Sequence, residues 1–203
     1  LKSTFGKYVE KMMPHTTPAN PLHGIIRPKK EDQLISTEYQ KLFRSGVGML
    51  MWLVKHSRPD MNNATRELSK VADGATEAHW KNLLRAINYV INTEEMGLKI
   101  KPTKDKNKNL FYLQGILDST YADNKDDRTS VYGYIVYFCG APIAWKSKAG
   151  KSVTLSSTEA EYFALSEVTK EIMFVKQVLE TMGINLTLPI LVKVDNVGAI
   201  YLS

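Results

Sequence analysis

Three carboxylates in the second half of the chain, Asp118, Glu161 and Asp195, have the types and spacing to do chemistry together. Glu161 heads an apolar stripe of Leu165, Val168, Ile172, Val175, Leu179 and Met182, in alternating steps of four and three. That spacing is one buried face of an α-helix, so Glu161 points toward the core. At about 100° per residue, Glu159 falls on nearly the opposite side and stays in water. An inward carboxylate is costly unless something cationic meets it. Asp118 and Asp195 each follow an apolar run that reads as a strand, over 111–117 and 190–194. Strand-end residues of an α/β sheet gather at one edge, where such sheets bind ligands. Three acids without Cys or His partners suit a hard cation with oxygen ligands, Mg2+ or Mn2+ rather than Zn2+. Without an ion they repel and raise each other's pKa. With two ions they could activate a water and stabilise the leaving oxygen of a phosphodiester.

Plainer readings stand beside this one. A strand-end Asp commonly forms a turn or caps a helix. Asp195-Asn196 could cap a closing helix over 197–202, and Glu161 could pair with a lysine. Asp123, Asp126 and Asp127 sit in a polar turn and read as surface charges. The four histidines, His15, His23, His56 and His79, have no second His or Cys at i+3 or i+4, which argues against a metal site on any of them.

The elements that must position the trio follow from a change of period near residue 109. Upstream, residues 1–36 hold four of the eight prolines, Pro14, Pro18, Pro21 and Pro28, and read as an extended linker with a short helix near 5–13. Three helices are expected over 37–56, 61–71 and 77–92, the first stopped by Arg58-Pro59. Lys99, Lys101, Lys104, Lys106 and Lys108 then form either a solvated linker or a basic connector lying on a phosphate backbone. Downstream, strands are expected over 111–117 and 131–138, the latter with Tyr132, Tyr134, Val136 and Phe138 on one face. A third strand region, 141–145 and 152–155, bends around 146–150, bringing Lys146, Lys148 and Lys151 near the site as phosphate contacts. The long helix opens with Ser156 and Glu159 spaced as a capping box and runs to about 182, with a break near Lys170. Gly183 ends it. The last strand, 190–194, is apolar enough to be buried on both faces.

Composition is that of an ordinary soluble domain, 43% hydrophobic and 24% charged. No apolar run reaches the roughly 18 residues of a membrane span. The net charge of +6 is uneven: residues 1–117 carry 19 basic and 11 acidic groups, and residues 118–203 carry 8 and 10. A basic part beside an acid-rich part suits a polyanion held next to a carboxylate site. The single cysteine, Cys139, excludes an intramolecular disulfide and reads as a buried thiol in a reducing compartment.

Six strings carry a resemblance: Asp118-Ser119-Thr120-Tyr121-Ala122-Asp123, Asp127-Arg128-Thr129-Ser130, Gly133-Tyr134, Ile143-Ala144-Trp145-Lys146-Ser147-Lys148, Leu155-Ser156-Ser157-Thr158-Glu159-Ala160-Glu161-Tyr162-Phe163-Ala164-Leu165 and Val194-Asp195-Asn196. In this order and spacing they resemble the RNase H domain of copia-type retrotransposon polyproteins. Ser57-Arg58-Pro59-Asp60, His79-Trp80 and the stretch from Tyr89 through Thr93 to Gly97-Leu98 resemble the segment joining reverse transcriptase to that domain. The resemblance covers about residues 37–203. It departs at Tyr121, usually Trp, at Asp123, usually Gly, and at Gly150, where a Gln is expected.

The resemblance implies an α/β fold: an RNase H-like mixed sheet with flanking helices, preceded by a small helical connector region. Three parts are expected: an extended linker (1–36), a helical, thumb-like reverse transcriptase connector (37–109) and an RNase H-like domain truncated at its C-terminus (110–203). The implied activity is cleavage of the RNA strand of an RNA–DNA hybrid with two Mg2+ or Mn2+ ions, the family's acids mapping onto Asp118, Glu161 and Asp195. A fourth family acid is expected beyond Ser203 and the polymerase centre before Leu1. The implied partners are the hybrid and the upstream polymerase part, inside a cytoplasmic particle or the nucleus and with no membrane. The related integrase-type nucleases order their acids Asp, Asp, Glu, whereas here the order is Asp, Glu, Asp. A catalytically inactive or repurposed retroelement fragment, serving as a nucleic-acid-binding or scaffold module, is the alternative.

Overall fold

The structure, a computed structural model, describes residues 3–11, 33–101, 111–120, 130–150 and 154–201. The four prolines of the expected linker, Lys104, Lys106, Lys108, Tyr121, the acids Asp123, Asp126 and Asp127, and Lys151 lie outside them. The chain divides into two compact units, Leu1–Leu98 and Lys99–Ser203.

The first unit is helical: α1 (Gly6–Val9), α2 (Thr37–His56), a 3-10 turn (Pro59–Met61), α3 (Asn62–Lys70) and α4 (Glu77–Asn92). Pro59 stops α2 as its chemistry requires, since it cannot continue the ladder. Phe43, Val47 and Leu50 of α2 pack with Leu68 and with Leu83, Ile87 and Val90 of α4. Within residues 1–36, read from the sequence as an extended linker, residues 3–11 instead belong to this core. Phe5 and Tyr8 are buried, and the Tyr8 hydroxyl donates to the Leu42 carbonyl at 2.8 Å. Further along the same stretch, the Ile35 N–H donates to the Ala75 carbonyl at 3.0 Å. Arg58, Asp60 and Thr93 form a lock within this unit. Arg58, 3% exposed, donates to both oxygens of Asp60 (3.0 and 2.8 Å) and to the carbonyl and hydroxyl of Thr93 (3.0 and 2.8 Å).

The second unit is α/β, a mixed four-stranded sheet with flanking helices. Its strands β1 (Leu113–Thr120), β2 (Val131–Phe138), β3 (Ala141–Ala149) and β4 (Leu191–Lys193) lie in the order β3-β2-β1-β4. The pairs β1–β2 and β2–β3 are antiparallel, and β4 runs parallel to β1. The 25-residue α5 (Ser157–Thr181) covers one face, and a short α6 (Val197–Tyr201) follows β4. Leu113, Leu117, Tyr132, Tyr134 and Val136 meet Ala164, Val168 and Ile172 of α5 to form the core. Close approach of α5 depends on Gly115, where a Cβ would stand 2.9 Å from Ile172 Cδ1 and 3.3 Å from Val168 Cγ2.

Several expectations are corrected. The third strand runs unbroken through 141–149, so Lys146 and Lys148 lie in a strand rather than in a bend. It joins β2 through Cys139 (φ 49°) and Gly140 (φ 80°), the two positive φ values of a tight type I′ hairpin turn, and Cys139 is a buried free thiol. Residues 154–156 are not strand. Helix α5 has no break at Lys170 and ends at Gly183, where the Ile184 N–H bonds the Leu179 carbonyl and the Gly183 N–H the Glu180 carbonyl, both at 3.0 Å. Met182, expected on the buried stripe, is exposed. The last strand was expected to be buried on both faces; it is three residues long, stands at the end of the described sheet and exposes Leu191. An apolar run reports composition only, not what layer lies over each face of the strand.

Candidate metal centre

Alternation along β1 turns Leu113, Gly115, Leu117 and Ser119 toward α5 and leaves Asp118 on the other face, near the end of the strand. The parallel register pairs Lys193 with Ile116. Asp118 and Asp195 each follow that pair by two residues. The third acid comes from the first turns of α5. The helix starts at Ser156, whose hydroxyl accepts the Glu159 N–H at 3.1 Å. The Glu159 carboxylate reaches back to accept the Leu155 N–H at 2.6 Å, one residue beyond the expected reciprocal cap at Ser156. Glu159 is exposed, as its helical angle requires, and Glu161 is buried, 3% exposed.

One carboxylate oxygen from each of Asp118, Glu161 and Asp195 lies within 4.8 Å of the other two. Glu161 Oε1 accepts two hydrogen bonds from one residue, Ser119: the backbone N–H at 2.9 Å and the hydroxyl at 2.8 Å. Its other oxygen, Oε2, is buried without a hydrogen-bond partner. Burial pushes the Glu161 carboxyl above the usual range; Ser119 works against the shift, while the nearby Asp195 and Asp118 charges add to it. A buried acceptor left empty is expensive, and an inward carboxylate beside two others more so. A cation among the three would relieve both costs, and an all-oxygen donor set of this kind can hold a hard metal ion. Among the described residues no lysine pairs with Glu161; its partner there is Ser119.

Of the expected phosphate contacts, Lys146 and Lys148 are residues of β3. Lys146 pairs across β3–β2 with Tyr134, on the face that α5 covers, and its ammonium sits 4.0 Å from Glu167 on that helix. Lys148 pairs with Tyr132 and is exposed, in the row that begins at Ser119. The tyrosines anchor the helix. Tyr132 and Tyr134 donate to Glu167 (3.3 Å) and Glu171 (2.9 Å). Burial first, and the Glu167 carboxylate next, push the Tyr132 hydroxyl to about 12.

Two supporting residues escaped the sequence reading. Ser119 is one; its signal was a hydroxyl directly after the strand acid. Gly198, in α6, is the other: a Cβ there would stand 2.9 Å from Thr158 Oγ1 and 3.1 Å from Asn196 Oδ1. Its missing side chain lets the segment carrying Asp195 close on the start of α5.

No protein-family model matches the chain, and no solved structure does. Over 189 residues, 93% of its length, it is 36% identical to the retrovirus-related Pol polyprotein from transposon RE1 of Arabidopsis thaliana, of which it covers 12%. It is 37% identical over 160 residues to the corresponding polyprotein from transposon RE2 of the same plant, of which it covers 11%. The chain thus spans about a tenth of the length of these curated relatives. Over 129 residues it is 36% identical to the secreted RxLR effector protein 161 of Plasmopara viticola, covering 87% of that protein.

Proposed function

Since this chain belongs to the family of copia-type, retrovirus-related Pol polyproteins of transposons, we propose that its second unit is a ribonuclease H module cutting the RNA strand of an RNA–DNA hybrid. The observation carrying this reading is the meeting of Asp118, Glu161 and Asp195 around a buried, unpartnered carboxylate oxygen. An RNase H-like fold accords with the mixed sheet and its covering helix. Asp118, Glu161 and Asp195 would hold Mg2+ or Mn2+, ions that supply Lewis acidity and an activated water for displacement at phosphorus.

The chain's own residues divide the remaining work. Asp118 and Asp195 are exposed, so a phosphate can approach them from solvent. Glu161 forms the buried floor and keeps water away from one side of the acids. Lys148, free of the Glu167 contact that holds Lys146, is the better placed of the two to meet a phosphate oxygen. The hybrid and the polymerase part of the same polyprotein are the proposed partners, in a cytoplasmic particle or the nucleus. No helix among the described residues is long and apolar enough to cross a membrane.

The test is cleavage of a labelled RNA–DNA hybrid with and without Mg2+. Asp118→Asn is expected to abolish cleavage while the melting temperature in chelator holds; equal activity of variant and parent overturns the reading. A second reading, a repurposed module without catalysis, is favoured by the effector relative, which is nearly spanned by this chain. Millimolar Mg2+ separates the two. A working site raises the melting temperature, as any ligand of the native state must, and an inert one leaves it unchanged.

A further inference from the structure

Glu161 is held by two donors on one oxygen, and the two differ in kind. The Ser119 N–H belongs to the backbone of β1 and survives any substitution there but proline. The Ser119 hydroxyl is a side-chain choice, placed 2.8 Å from the same Oε1. One hydrogen bond fixes a point; two bonds from different directions also fix the plane of the carboxylate. That matters because the last torsion of a glutamate is broad and roughly two-fold, so a carboxylate tethered at one point swings and exchanges its oxygens. With Oε1 occupied twice, Oε2 is the oxygen left for a cation, and it is buried without a partner.

We infer that Ser119 is a positioning residue for the metal centre: its hydroxyl locks the Glu161 carboxylate so that Oε2 is presented to an ion shared with Asp118 and Asp195. This rests on the metal-binding reading of the three acids. Ser119 itself touches no ion; it acts through Glu161, as hydrogen-bond partners of metal ligands do, and their loss typically costs about 10- to 100-fold in affinity.

The experiment is calorimetric Mn2+ titration of the full chain, at a temperature well below melting, for the parent, Ser119→Ala, Ser119→Thr and Asp118→Asn. The parent is expected to bind Mn2+ and Asp118→Asn to lose it. Ser119→Ala should bind about tenfold more weakly, and Ser119→Thr, which keeps the hydroxyl, should return to within about threefold of the parent. If Asp118→Asn loses the ion but Ser119→Ala binds like the parent, or Thr rescues no better than Ala, the positioning role is overturned and the metal reading stands. If the parent takes up no Mn2+, or Asp118→Asn binds as the parent does, both fall. Should Ser119→Ala unfold, Ser119→Cys takes its place: its weaker donor must give an affinity below that of the parent, and parent-like binding overturns the role. A merely structural serine would lower the melting temperature in chelator and leave the Mn2+ affinity where it was.

Discussion

Glu161 is a burden to the protein that carries it until something positive arrives. Burial raises its carboxyl pKa and Asp195 and Asp118 add to the rise, so keeping it ionised at neutral pH costs folding free energy. Glu161→Gln removes that charge. In the presence of chelator the variant is expected to melt above the parent. Adding Mn2+ should reverse the order, since only the parent gains from the ion. Parallel melts with chelator and with Mn2+ check both halves; a variant that melts lower in chelator would mean that the carboxylate is no burden. The inward aim of Glu161 was legible from the stripe of Leu165, Val168 and Ile172. Its partner was not. Ser119 lies 42 residues away, and nothing in a linear pattern says which face of a strand meets which turn of a helix.

Among elements, the decisive contact is α5 on β1. The apolar periodicity of 161–182 located this helix well, and the alternation of Tyr132, Tyr134, Val136 and Phe138 correctly gave the face that it covers. What the pattern did not contain was how close the two could come. Gly115 sets that distance. Gly115→Ala would drive a Cβ to 2.9 Å from Ile172 Cδ1, an overlap that cores of this density relieve only by moving. The expected cost is about 1–3 kcal/mol in urea unfolding at an unchanged slope. A neutral result would show that α5 stands farther off. The strands were less legible than the helices. Continuous β3 and the short, exposed β4 both differ from expectation because hydrogen-bonding partners, rather than composition, decide where a strand ends.

For the whole molecule, the two units carry opposite responses to acid. In the first, stability is lost as the pH falls below about 3.8, through Asp60. Burial alone would raise its pKa, but the Arg58 hydrogen bonds and charge outweigh burial and hold it low, so the unfolded chain takes up that proton first. In the second unit the sign is reversed. The raised Glu161 carboxyl is protonated in the fold before it is in the unfolded chain, so stability rises as the pH falls toward about 4.5. Glu167, held low by Lys170 in an ion pair near the surface, opposes this only below that value and weakly. In chelator, melts followed at Trp145 are expected to move up between pH 7 and about 4.5, and melts followed at Trp80 to move down below about 3.8, in chains keeping one of these as the sole tryptophan. A fall at Trp145 between pH 7 and about 4.5 would contradict the assignment. The compact units part between Leu98 and Lys99, ahead of all five lysines of the run.

The side of the sheet turned away from α5 exposes Ile116 and Leu191, at 38% and 62%, with Ile135 and Trp145 half-buried in the same row as Ile116. Hydrocarbon facing water on a chain of net charge +6 leaves colloidal behaviour to a contest between stickiness and mutual repulsion. Raising the salt shortens the reach of the repulsion to about 3 Å at 1 M and leaves the greasy side untouched. Light scattering from the purified chain should therefore grow with ionic strength, the reverse of what a protein glued together by opposite charges would do.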